Sequence, residues 1–252
     1  MVKLLILSIY NEDEYYDKMM KINNKYIDFL NLNNIKYYHI LLKPIENEYI
    51  IDEINHKIII NGIDSLRPGI LIKTIKAIKI ALNVLKIDYD FILRTTTATN
   101  INIPILLSLL DKLDINKDYY IGNMQELKWI DINHNIVDTT YWGTIYTGGG
   151  FSIFNKNISL EMLKKQDDFL FDIVDDLAIG YFIQNIPSVV YLDWTDLCSF
   201  YGYWDSNKII FFHNTNKKER NIDILNKENI IIHLINNYIK SKNQSNDSIV
   251  SL

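Results

Sequence analysis

The chain has 252 residues, 48% hydrophobic and 23% charged, which predicts one globular domain with a full core. A formal net charge of −5 argues against general nucleic-acid binding, which needs a basic surface. One cysteine, Cys198, excludes an intramolecular disulfide and a cysteine-rich zinc module. No apolar run is long enough to cross a bilayer, and the first residues lack a signal-peptide pattern. We therefore expect a cytoplasmic protein.

Strand-like and helix-like segments alternate along the chain. Apolar runs predict strands over residues 3–10, 37–42, 56–61, 90–94, 119–122, 151–154, 188–193 and 208–213. Helical spacing predicts helices over residues 14–32, 70–86, 103–112, 158–165, 176–186 and 227–240. A polar and aromatic stretch, residues 124–144, is predicted to be a long excursion beside a site. The domain is expected to span residues 1–240, followed by a polar, frayed tail over 241–252.

This alternation predicts an α/β fold with a mostly parallel central sheet and helices on both faces. Ligands of such folds bind at the carboxyl ends of the strands. The candidate positions are therefore residues 8–12, 61–67, 94–100, 148–150 and 175–176. Neither GxxxxGK[ST] nor GxGxxG occurs, so an ordinary P-loop or dinucleotide site is not expected.

Five segments carry a resemblance to a known family. They are D-S-L-R-P-G-I-L-I-K-T (64–74), D-F-I-L-R-T-T-T (90–97), Y-I-G-N (120–123), Y-T-G-G-G-F (146–151) and D-D-L-A-I-G (175–180). In order and spacing they resemble the Fringe-like and β-1,3-galactosyltransferase-like glycosyltransferases. The resemblance covers about half of the chain and implies a single-domain GT-A (Rossmann-like) fold.

The resemblance also implies transfer of a sugar from a nucleotide diphosphate donor to an acceptor hydroxyl, with inversion at the anomeric carbon. Asp176 matches the catalytic base of the family, and a carboxylate is suited to take the proton of an attacking hydroxyl. An N-cap of the following helix is the alternative role for Asp176. The neighbouring Asp175 is expected to hold the sugar or share the role of base.

The largest departure from the family lies at its acidic DxD triplet, which is replaced here by Thr95, Thr96 and Thr97. Threonine hydroxyls are poor ligands for divalent cations, so we expect weak or no metal dependence, with Mn²⁺ or Mg²⁺ as the alternative. Basic side chains are then expected to stabilise the departing diphosphate. The candidates are Arg94, Lys73, His213, Lys217 and Arg220.

Four of these five candidates also have a structural interpretation. Lys73 fits a solvated helix position, and Lys217 and Arg220 lie in a polar loop. Arg94 fits an ion pair with the nearby Asp88 or Asp90. His213 follows a strand where some relatives of the family place a metal-binding histidine.

The remaining candidates concern the nucleoside and the sugars. Ser8, Tyr10 and Asn11 lie where the resemblance places the nucleoside, with Tyr10 either stacking on the base or closing the core. Asp64 and Arg67 of the first segment are also assigned to the donor. Aromatic residues and glycines are expected to contact sugars or to form local core and turns: Trp129, Trp142, Tyr146, Gly148, Gly149 and Gly150.

The expected partners are a nucleotide-sugar donor and a glycan acceptor, without nucleic acid and without a membrane span. The oligomeric state is not indicated by the sequence. One alternative is a catalytically inactive glycan- or nucleotide-binding protein of the same fold, motivated by the missing DxD. A second alternative is a retaining transferase of related fold. The Ile-, Asn- and Lys-rich composition suits a microbial or viral protein that acts inside a host cell.

Overall fold

The structure is a computed structural model, and it describes residues 1–199, 208–213 and 220–247. Eleven strands and six α-helices alternate in these ranges. The strands are β1 (Leu4–Ile9), β2 (Ile35–Lys43), β3 (Tyr49–Asp52), β4 (Lys57–Asn61), β5 (Phe91–Thr96), β6 (Thr99–Ile101), β7 (Tyr119–Glu126), β8 (Ile145–Asn155), β9 (Val190–Asp193), β10 (Cys198–Ser199) and β11 (Phe211–His213). The helices are α1 (Glu14–Leu30), α2 (Gly69–Asn83), α3 (Ile103–Leu110), α4 (Lys156–Lys164), α5 (Asp175–Ile183) and α6 (Arg220–Asp247).

Eight strands form the central sheet in the order β3-β4-β2-β1-β5-β8-β7-β9, and β10-β11-β6 form a small second sheet. The centre of the large sheet is parallel, because β4, β2, β1 and β5 follow one another in the same direction. Their apolar sequences fit this position, since a parallel strand is covered on both faces. The predicted α/β fold class is confirmed.

Two layers of helices cover the sheet. On one face α2, α4 and α5 bury alternate strand residues such as Leu5, Leu7 and Ile92. On the other face α1, α3 and α6 bury the intervening residues such as Ile6 and Leu93. The period of two along each strand therefore gives the molecule two cores, one on each side of the sheet.

One strand departs from the parallel arrangement. Strand β8 lies between β5 and β7 and runs antiparallel to both. The first half of β8, with Gly148–Gly150, therefore reaches the same edge of the sheet as the carboxyl end of β5. This direction brings the glycine segment to the predicted ligand edge.

Several elements differ from the sequence-based expectation. Strands β3, β6 and β10 were not predicted, because they have only four, three and two residues. Helix α6 begins at Arg220 and continues to Asp247, so the first seven residues of the predicted tail are helical. Among the residues that the structure describes, no helix is both long and apolar enough to span a membrane.

Candidate active site

The carboxyl ends of β1, β2 and β4 open into a cleft of about 500 Å³. The chain after β1 contributes Asn11 and Glu12, the end of β2 contributes Lys43, and the turn before α2 contributes Asp64 and Leu66. Lys43 is paired with Glu12 at 2.8 Å within the lining. This cleft combines apolar walls with a few polar groups, as small-molecule sites do.

A buried arginine, Arg94, connects the sheet to α5. Its guanidinium donates one hydrogen bond to Asp175 and a second, of 2.7 Å, to Asp176. Arg94 and Asp175 are almost fully buried, whereas the side chain of Asp176 is 14% exposed. The ion pair anticipated with Asp88 or Asp90 is wrong: Asp88 instead pairs with lysines and Asp90 accepts a backbone N–H.

The two acidic residues occupy the first turn of α5, where the helix dipole favours negative charge. Neither of them caps the helix: the N-cap is Val174, without a side-chain hydrogen bond, so the alternative cap role of Asp176 is wrong. Burial raises the pKa of Asp176 above its ordinary value of 3.8, and Arg94 and His134 oppose the rise. A carboxylate with a raised pKa is a better proton acceptor near neutral pH.

The three threonines that replace the acidic triplet are engaged within the protein. Thr95 donates its hydroxyl to the Gly150 carbonyl at 3.0 Å, and Thr97 donates to the Ile9 carbonyl at 3.0 Å. Thr96 lies 3.1 Å from the hydroxyl of Thr99. These hydroxyls tie the end of β5 to β1 and β8.

On the α6 side, His213 closes the same cluster. Its Nδ1 lies 2.9 Å from the Thr99 hydroxyl and 3.5 Å from that of Thr96. Burial lowers the pKa of His213 to about 4, and the nearby Lys227 adds to this effect. This shift favours the neutral imidazole, which makes His213 a poor source of positive charge for the diphosphate.

The donor atoms of this cluster do not fit a divalent cation. They are threonine hydroxyls, already bound within the protein, and one imidazole, whereas Mn²⁺ and Mg²⁺ prefer carboxylates. Within residues 1–199, 208–213 and 220–247, no group of three or more His, Cys, Asp or Glu side chains is placed to hold a metal.

Lys73 is not solvated but fully buried. Its ammonium group donates to the Tyr10 carbonyl at 3.1 Å, to Asn11 Oδ1 at 3.1 Å and to Asp64 Oδ2 at 2.7 Å. Burial lowers its pKa, and the Asp64 carboxylate opposes this shift. All three N–H groups of Lys73 are thus used within the protein, beneath two residues of the cleft.

Two residues assigned to the nucleoside are in the core. Tyr10 is 1% exposed, its hydroxyl donates to Asp17, and its ring contacts His39 and the Lys57 ammonium. Neither ring face is open to a base, so the structure favours the core-closing alternative. Ser8 is also fully buried, 3.3 Å from the hydroxyl of Thr97.

Among the basic candidates, Arg220 remains at the surface. It lies at the start of α6, over the ring of Tyr15 and 3.5 Å from Asp13, just beyond the chain that leaves β1. Arg67 is half-buried in the turn before α2. Lys217 lies outside the described residues.

The predicted excursion is present as residues 127–144, between β7 and β8. It approaches the acidic pair, because Asn135 donates to the Asp172 carbonyl at 2.9 Å and Tyr141 packs edge-on against Tyr181 of α5. Trp129 and Trp142 are 44% and 49% exposed on it. Their exposed rings suit contact with a sugar.

The residues at the base of the excursion are closely packed. Tyr146 is buried and donates to Gln125 at 3.1 Å. A Cβ on Gly148 would lie 2.8 Å from the Gln125 amide, and the Gly150 carbonyl accepts from both Thr95 and Thr99. The main chain of Gly149 continues β8 between them.

Sequence reasoning missed three residues of this region. Thr99 binds His213. The hydroxyls of Tyr120 and Thr147 lie 3.0 Å apart beside the Arg94 cluster. Lys227 is fully buried and donates to the Thr99 carbonyl at 3.3 Å. The position of Lys227 on the apolar face of an amphipathic helix could have predicted that it is buried.

No protein-family profile matches the chain, and no curated protein matches it in sequence. Among solved structures, a glycosyltransferase involved in the glycosylation of the major capsid of PBCV-1 is similar over 88% of this chain and 98% of its own, at 13% identity and a TM-score of 0.51. The galactosyltransferase LgtC, in complex with donor and acceptor sugar analogues, is similar over 93% of this chain and 95% of its own, at 13% identity and a TM-score of 0.45. At this identity the first match establishes a shared fold, and the predicted GT-A fold is confirmed. The Fringe-like relationship stays a prediction.

Proposed function

We propose that the protein is a glycosyltransferase that moves a sugar from a nucleotide diphosphate donor, UDP-linked, to an acceptor hydroxyl of a glycan, with inversion. The observation that carries the proposal is the cluster of Arg94, Asp175 and Asp176 at the carboxyl edge of the sheet. It places a partly accessible carboxylate, held by a buried cation, on the helix whose Tyr181 contacts the aromatic excursion. The shared fold supports the same class of reaction.

Asp176 is assigned the role of catalytic base. As the acceptor oxygen forms its bond to the anomeric carbon, its proton passes to the Asp176 carboxylate. The bond between the anomeric carbon and the diphosphate oxygen breaks, and its electron pair leaves with the nucleoside diphosphate. Arg94 keeps the carboxylate oriented, and one such displacement inverts the configuration.

The departing diphosphate needs positive charge near its oxygens. We assign this role to Arg220, whose side chain is 55% exposed and whose contact to Asp13, at 3.5 Å, is long. A guanidinium can bind two phosphate oxygens at once, which suits it to a diphosphate. With this assignment, the reaction has weak or no dependence on metal.

Calorimetric titration of UDP and assays of UDP release from UDP-glucose and UDP-galactose test the proposal, first with excess EDTA and then with Mn²⁺. We expect micromolar UDP binding and turnover that EDTA does not reduce. NMR of the product should show the inverted anomer. Turnover that requires Mn²⁺ would contradict the metal-independent assignment, and a retained anomer would contradict inversion. Binding without any turnover would favour the inactive binding protein.

A further inference from the structure

The buried ammonium group of Lys73 fixes the orientation of two side chains in the cleft. It bridges Asn11 and Asp64, its contacts to them being 3.1 Å and 2.7 Å. The Lys73 side chain is 0% exposed, whereas that of Asp64 is 31% exposed. Lys73 itself is therefore out of reach of a ligand, but both of its side-chain partners line the cleft.

The chemistry of lysine determines which atoms face inward. A lysine ammonium has three donors and no acceptor, so the atom of Asn11 that faces it must be the amide oxygen. The amide NH₂ of Asn11 is then turned away from Lys73. In the same way Asp64 gives Oδ2 to Lys73 and keeps Oδ1 as an acceptor for another partner.

Besides the Lys43–Glu12 pair, the cleft thus offers a hydrogen-bond donor, the amide of Asn11, and a neighbouring acceptor, the carboxylate of Asp64. We propose that Lys73 is a positioning residue that sets this polarity, so that the cleft selects a nucleobase with a ring N–H beside a carbonyl oxygen. The ring N–H binds Asp64 and the carbonyl oxygen binds Asn11. Uracil and guanine carry such an edge, whereas cytosine and adenine present an acceptor nitrogen beside an amino group and leave both protein groups unpaired.

This inference rests on the proposed function, because it assigns the nucleotide of the donor. It is tested by calorimetric titration of the full chain with UDP, GDP, CDP and ADP. We expect UDP or GDP to bind at least about tenfold more tightly than CDP and ADP, since a mismatched base covers the polar groups of Asn11 and Asp64 without pairing them. The UDP and GDP arms distinguish the two bases that share the edge.

Asp64→Asn provides the sharper test. Lys73 still requires an oxygen, so the new amide must turn its NH₂ group toward the cleft, which then offers two donors. UDP should weaken at least about tenfold, because the ring N–H of uracil then faces a donor, and CDP should strengthen, because the acceptor ring nitrogen of cytosine then faces the new NH₂ group. Lys73→Met should reduce the ratio of UDP to CDP affinity by freeing the Asn11 amide, while Lys79→Met, an exposed position of the same helix, should not change it.

Two results would overturn the role of Lys73 and leave glycosyl transfer standing. One is equal affinity of the wild type for all four nucleotides. The other is an unchanged ratio of UDP affinity to CDP affinity in Asp64→Asn. A wild-type protein that binds none of the four would overturn both proposals. If Lys73→Met does not fold, Asp64→Asn still decides, because it keeps the ammonium group and one of its oxygen partners.

Discussion

Arg94 and Asp176 lie 82 positions apart in the chain and are joined by a hydrogen bond of 2.7 Å. Arg94 comes from the carboxyl end of β5, and Asp176 from the first turn of α5. The contact fixes α5, which carries the proposed base, to β5, which ends at the ligand edge. The position of the base is therefore set by the central sheet and not by a surface loop.

Asp176→Asn should abolish transfer and leave UDP affinity within about twofold. The amide keeps the size of the carboxylate but cannot take the proton of the attacking hydroxyl. Loss of a general base lowers the rate by about 10² to 10⁴. Turnover and calorimetry on the same preparation measure the two effects. Asp168→Asn, an exposed acid before α5, is the matched control and should keep full activity. Near-normal turnover of Asp176→Asn would remove this residue from the role.

The rate of transfer should fall at acid pH through the protonation of Asp176. The base acts only when ionised, and burial raises the pKa of Asp176 above 3.8. The acid limb of the kcat profile should therefore have an apparent pKa above that ordinary value. A profile that stays flat down to pH 4 would contradict the assignment.

Lys227 should make stability rise with pH above neutrality. Burial lowers its pKa to about 7 from 10.5, so between these values the unfolded chain binds more protons than the folded one. The free energy of unfolding should then increase by about 1 kcal/mol per pH unit through this window. Urea unfolding of wild type and Lys227→Met at pH 7 and pH 9 measures it. The variant should lose this increase, and parallel curves would refute the shift.

Tyr10→Phe should leave nucleotide affinity unchanged and lower stability by about 1 kcal/mol. The hydroxyl bonds Asp17 inside the protein, and the ring is 1% exposed, so neither meets a ligand. Calorimetry with UDP and urea unfolding report the two quantities separately. A tenfold loss of UDP affinity would restore the predicted stacking role.

Gly180→Ala should reduce both stability and turnover. A Cβ at Gly180 would lie 2.5 Å from the Tyr146 Cβ and 2.6 Å from the Ile145 carbonyl, so α5 must move away from β8. Such overpacking costs about 1 to 3 kcal/mol, and the movement displaces Asp176 on the same helix.

Gly148→Ala is the control for this substitution. Its new Cβ meets the far ends of the flexible Gln125 and Asn123 side chains, which can turn aside. Urea unfolding of the two variants should separate them, with only Gly180→Ala strongly destabilised. Equal losses of stability would mean that α5 accommodates the new Cβ without moving away from β8.

The sequence was sufficient to predict the parallel centre of the sheet, because strands such as β1 are continuous apolar runs. It did not predict β6, which has three residues and is held by pairing with β11 near the end of the chain. The ligand edge was also predictable, since strand ends can be located from the strands. The partner of Arg94 was not, because that contact depends on how α5 packs on β8.

The two ends of the excursion over residues 127–144 are fastened to each other. Leu127 donates to the Thr144 carbonyl at 2.9 Å and accepts from Gly143 at 2.9 Å. The register of β7 and β8 is thus independent of the residues between these ends, and lengthening such a closed loop costs little free energy. The exposed part of the surface that frames the acidic pair is for this reason open to change, whereas Ile136 and Tyr141 pack on the core. Replacing the exposed residues between 128 and 142 while keeping those two would change what approaches Asp176 and leave the sheet beneath it intact.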